Sequence, residues 1–170
     1  MSFDITESQI RRLPRWARVA FAAYCAELAL RLVQNRWKEM PPQFRSDCQG
    51  AVNAAKQAAF TGREVLSFSN AHDRAMQAGV SCPGIIYATF AANSARCAVE
   101  SAFESESSLA YQAWNNAKNT AASLSDTVIN RAMKHGFDSI SSDATKDRWT
   151  DETTVLLTYF GSFPDLASAT

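Results

Sequence analysis

The chain has 170 residues, 46% hydrophobic and 20% charged, enough to bury roughly 70% of the surface of its unfolded form in one domain, which excludes disorder over most of its length. Its 17 basic and 17 acidic residues cancel to a net charge of +0, which argues against a nucleic-acid binder or a basic membrane-surface protein and permits self-association. Four cysteines, Cys25, Cys48, Cys82 and Cys97, form no C-x-x-C pair and match no zinc spacing, so buried thiols are expected and no metal or cofactor is implied.

Ile5–Arg12 reads as a short lead-in helix, with Thr6 and Gln9 spaced as a capping box. Pro14 breaks the hydrogen-bond ladder and suits the first turn of a new helix, predicted from Leu13 to Trp37. Apolar residues run round most of its circumference, as in a central helix packed on several sides. Glu27 and Arg31 stand one turn apart on it, in the favourable order for an ion pair. Its apolar stretch Ala17–Leu30 is too short and too charged to span a membrane. The first residues have no basic segment before an apolar run, so a cytoplasmic location is expected.

Met40, Pro41 and Pro42 close that helix. A second runs from Phe44 to Phe60, stopped by Thr61 and Gly62; a third from Ser67 to Gly79; a fourth from Ile85 to Phe103, rich in alanine. The fifth is predicted from Leu109 to His135, with Gly136 as its terminator. Ser139–Asp147 is polar, and Val155–Phe160 has strand-like composition but no partner strand, so a short helix or an extended strap is expected there, with Phe163 and Leu166 able to dock. The fold class is therefore all-α: a single-domain multi-helix bundle over 1–170 with about five main helices. Residues 1–12 lead in, 13–136 form the bundle around the central N-terminal helix, and 137–170 form a C-terminal strap.

Chemistry is sparse. His72 and His135 belong to no metal motif, and His135 suits the negative end of a helix dipole. Any Cys–His pair lacks sequence support. Glu100, Glu104 and Glu106 read as a solvated helix end, and Asp147, Asp151 and Glu152 around Trp149 read likewise. The glycines are scattered, with no phosphate-cradling loop. Aromatic residues offer a candidate interaction surface: Tyr111 and Trp114 share a helix face with Lys118, and Trp149, Asp151, Tyr159 and Phe160 concentrate near the C-terminus. Such side chains anchor interfaces but equally fill cores.

The run Leu13-Pro14-Arg15-Trp16-Ala17-Arg18-Val19-Ala20-Phe21-Ala22-Ala23, together with Trp149-Thr150-Asp151-Glu152-Thr153 and Phe160-Gly161, resembles a group of uncharacterised bacterial all-α proteins similar to the immunity-like proteins of polymorphic toxin systems. Leu156, Leu157 and Thr158 stand where that group usually has prolines. The resemblance implies a protein that binds and occludes a toxin, and no catalytic residues. The expected function is thus an intracellular protein-binding domain without enzymatic activity, its partner a toxin or another protein. The alternatives are a self-associating helical scaffold, and a small-ligand binder or enzyme with a pocket between helices at Glu27 and Arg31.

Overall fold

In a computed structural model, which describes residues 4–64, 68–104 and 106–161, every regular element is helical. Among the described residues α1 spans Glu7–Arg11, α2 Arg15–Val33, α3 Phe44–Thr61, α4 Phe68–Val80, α5 Ile86–Phe103, α6 Ser107–Ser123 and α7 Val128–Lys146. A 3-10 helix, Gln34–Glu39, continues α2, so the predicted helix to Trp37 changes its winding after Val33.

Local chemistry accounts for most of the ends. Thr6 caps α1 in a capping box with Gln9, each side chain bonding the other's backbone N–H. Pro14 precedes α2 in an extended conformation and supplies no side-chain cap. Gly62 ends α3 at φ +68, and its N–H donates to the carbonyl of Ala58.

Helix α2 is central. Buried side chains, from Trp16 and Phe21 through Tyr24, Cys25 and Leu28 to Val33, point to every side of it. It packs against α3, α5, α6 and α7, while α4 packs on α3 and α5 and α1 on α6. A helix buried all round has no polar stripe to orient it, so its neighbours must supply complementary small surfaces. Ala88, Ala91, Ala92, Ala95, Ala98 and Ala102 of α5 do so, all fully buried, and let axes approach closely. Ser94 completes the α5–α6 contact by donating its hydroxyl to the carbonyl of Ala113 at 2.7 Å.

The predicted fifth helix is in fact two. Leu124 ends α6, Ser125 turns to φ +56, and the N–H groups of Ser125 and Asp126 return to the carbonyls of Ala122 and Ala121. This is a Schellman end built on serine. Asp126 then accepts from the N–H of Ile129 and starts α7. Gly136 does not terminate a helix. It lies inside α7, which runs on to Lys146, so residues 137–146 are helical and do not begin a strap. A second Schellman end, with Arg148 at φ +54 and the N–H of Trp149 bonded to Ala144, closes α7. Phe163 and Leu166 lie outside the described residues.

Candidate functional site

Residues 147–161 leave α7 and cross the bundle without helical structure, tied at four points. Asp151 Oδ1 accepts from the backbone N–H of Arg15 at 2.7 Å, giving α2 the cap that Pro14 lacks. The N–H of Val155 donates to the carbonyl of Ala59 in α3 at 2.9 Å. The Tyr159 hydroxyl donates to Asp143 Oδ2 in α7 at 2.5 Å. The Phe160 ring stacks on Tyr24 with centroids 4.2 Å apart.

Between this segment, α2 and α3 lies an open cavity of about 240 Å³. Tyr24, Glu27, Lys56, Val155 and Phe160 are among the residues that line it. The floor is an ion pair: Lys56 Nζ stands 2.9 Å from Glu27 Oε2, and Arg31 Nη2 approaches Glu27 Oε1 at 3.9 Å. The Glu27 side chain is only 13% exposed, so water screens its close contact with Lys56 poorly, whereas Arg31 is more open to solvent. At the rim, Leu156 and Leu157 are 66% and 45% exposed. Phe60, the residue after Ala59, is 41% exposed.

Burial shapes the ionisable groups around the cleft. It pushes the Tyr24 phenol up to about 12, with a smaller push from Cys25. Burial also raises Tyr159, reinforced by its hydrogen bond to the Asp143 carboxylate. Both hydroxyls are therefore neutral donors at pH 7. The Tyr24 hydroxyl uses this to donate to the carbonyl of Ala132 at 3.2 Å.

The six aromatic and acidic residues singled out in the sequence do not form one surface. Trp114 is only 3% exposed and sits in the core, with half-buried Tyr111 tilted against it at 5.3 Å and the Lys118 ammonium 5.2 Å from its ring. Trp149, Tyr159 and Phe160 make a separate, half-buried stack that reaches Tyr24. No ring contact joins the two groups among the described residues. Asp151 is exposed and serves the end of α2.

The remaining titratable residues lie elsewhere. His72 stands 3.7 Å from Glu100, which also pairs with Arg96 at 2.8 Å, while Glu104 and Glu106 are exposed. His135 is exposed on the middle of α7 and not at its end, because Gly136 does not stop the helix. No group of three or more His, Cys, Asp and Glu among the described residues is arranged to hold a metal ion. All four cysteines are free and buried. Burial raises every thiol pKa, that of Cys97 to about 11, so they stay protonated at neutral pH.

Lys56 was not singled out in the sequence, and Val155, Leu156 and Leu157 entered it only as part of the expected strap and as departures from the prolines of the resembled group. Lys56 reads as an ordinary polar position on α3, since nothing local couples it to Glu27, 29 residues away. The adjacent leucines that follow the polar run Thr150–Thr154 were the available signal for the rim. No family model matches this chain, and no curated protein and no solved structure was found to match it.

Proposed function

We propose that this chain is a non-catalytic protein-binding domain acting in the cytoplasm, and that it holds its partner at the cleft between α2, α3 and residues 155–161. The observation that carries this reading is the pair Leu156 and Leu157, exposed side by side at the mouth of a cavity. An apolar rim round a shaped pocket is the arrangement in which a few buried anchors supply most of an interface's energy. Residues 147–161 act as a strap in this reading, joined to α2, α3 and α7 and presenting the leucines on a fixed frame. Free, protonated thiols fit a reducing compartment. The partner class implied by the resemblance of the two terminal motifs is a toxin.

Leu156→Asp combined with Leu157→Asp tests the reading, because both side chains are exposed and their replacement spares the core. The wild-type chain is expected to co-purify with the product of a neighbouring gene, and the double variant to lose it while melting at the same temperature. Equal retention by both proteins would move the interface elsewhere. Absence of any neighbour-encoded partner would remove the toxin-binding reading. Sedimentation of the wild-type chain alone separates this from self-association, which would give a dimer that the double variant dissolves.

A further inference from the structure

A second cleft lies on the far side of Glu27. It is a cavity of about 250 Å³ between the end of α2, the 3-10 helix and the start of α3, and Arg31, Gln34, Trp37, Arg45 and Gln49 face it along with Glu27. Trp37 and Arg45 also wall an adjoining cavity of about 240 Å³, whose other faces are Lys38, Pro41 and Pro42. The two hollows therefore share one aromatic ring and one guanidinium.

Charge is unbalanced here, although the whole chain is neutral. Glu27 is the one carboxylate among the residues lining either hollow, and it is engaged by Lys56 at 2.9 Å and Arg31 at 3.9 Å. Arg45 and Lys38 have no carboxylate within ion-pair distance among the described residues. By contrast, nearby Arg36 pairs with Glu39 at 3.5 Å and Arg74 pairs with Asp47. The Arg45 guanidinium lies 5.7 Å from the Trp37 ring centroid, a cation–π contact that holds it at the lip. Two guanidinium forks facing one hollow match the oxygens of a carboxylate or phosphate, which they bind with charge-assisted hydrogen bonds. Buried Leu30 forms an apolar part of the same wall. The adjoining hollow offers the opposite chemistry: the Trp37 ring and two prolines form an apolar shelf.

We infer that this double cleft binds a small amphipathic organic anion, its carboxylate or phosphate head between Arg31 and Arg45 and its apolar part across Trp37 onto Pro41 and Pro42. The two clefts share Glu27, but Leu156 and Leu157 line only the first, so replacing them leaves this site's own residues in place.

Titration of the full chain with octanoate and with octyl phosphate, followed by NMR at the Trp37 indole N–H, tests it. Trp37→Phe assigns that resonance. Below micelle-forming concentrations, a saturable shift of the Trp37 resonance is expected with one or both anions, and the tighter of the two identifies the head group. Arg45→Gln, at an exposed position, should retain the circular dichroism of the wild type and weaken binding about tenfold or more, the loss of one charge-assisted contact. Inorganic phosphate should bind more weakly than octyl phosphate. The inference is overturned by no saturable shift with either anion, by equal binding of octyltrimethylammonium, by unchanged affinity in Arg45→Gln, or by inorganic phosphate binding as tightly as octyl phosphate.

Discussion

Tyr24 of α2 packs against Gly136 in α7, in the space that a side chain there would fill. A Cβ at position 136 would stand 2.4 Å from Tyr24 Cε1. The ring cannot retreat, because Phe160 stacks on it and its hydroxyl is bonded to Ala132. An interior helical glycine ordinarily costs about 1 kcal/mol relative to alanine, so the usual Gly→Ala change would stabilise. Here Gly136→Ala is expected to destabilise by about 1–3 kcal/mol through overpacking. Gly136→Ala combined with Tyr24→Leu should relieve part of that loss. Urea unfolding of the single and double variants measures both, and a single variant more stable than wild type would contradict the contact.

Arg148 adopts φ +54 to end α7, and Ser125 φ +56 to end α6. Non-glycine residues pay for this conformation with steric strain, so Arg148→Gly is expected to raise stability by up to about 1 kcal/mol. Ser125→Gly should act in the same direction. Thermal melts report the effect, and lower melting temperatures in both variants would refute the strain.

Asp151 reaches from residues 147–161 to the first backbone N–H of α2. Asp151→Ala should cost about 1 kcal/mol, as for loss of a helix N-cap. Asp151→Asn keeps an acceptor oxygen but loses the charge that complements the helix dipole, and should fall between the two. Hydrogen exchange is expected to quicken at Arg15 and the residues just after it in Asp151→Ala. Unchanged exchange there would detach Asp151 from the helix end.

Glu27 and Lys56 form a part-buried pair at 2.9 Å. Glu27→Gln leaves Lys56 and Arg31 with less compensation and is expected to cost about 1–3 kcal/mol. Glu27→Gln with Lys56→Met should cost less than the sum of the single changes. A double-mutant cycle in urea tests this, and strict additivity would mean that the pair contributes nothing.

Alkaline pH is expected to weaken the fold. Tyr24, raised to about 12 by burial, and Tyr159, Cys25, Cys48 and Cys97, all raised chiefly by burial, hold their protons more tightly in the folded chain than in the unfolded one. Their contribution is complete below the unfolded values, about 8.5 for a thiol and about 10 for a phenol, and is lost as pH climbs past them. Urea midpoints should hold steady from about pH 7 to about pH 8.5 and then fall, more steeply above about pH 10. Tyr159→Phe should flatten the upper part of that fall. A midpoint that rises above about pH 9 would reverse the sign and refute the argument.

The sequence by itself determined what depends on near neighbours along the chain. The Thr6–Gln9 capping box, the Gly62 stop, the all-round apolar character of α2 and the burial of four thiols all follow from spacing and residue type over one or two turns. The Glu27–Arg31 neighbourhood was legible for the same reason, since i and i+4 share a helix face. Only the tertiary structure decided the rest. Gly136 reads locally as a helix stop, whereas it lies inside α7 against a tyrosine ring 112 positions earlier in the chain that leaves no room for a side chain there. Ser125 and Arg148 carry no local mark of a left-handed end. Lys56, Val155 and Asp151 gain their roles from partners on other elements. A side chain's preferred turn is written in its own chemistry, whereas its packing partner is chosen by which surfaces bury together, and that choice belongs to the whole chain.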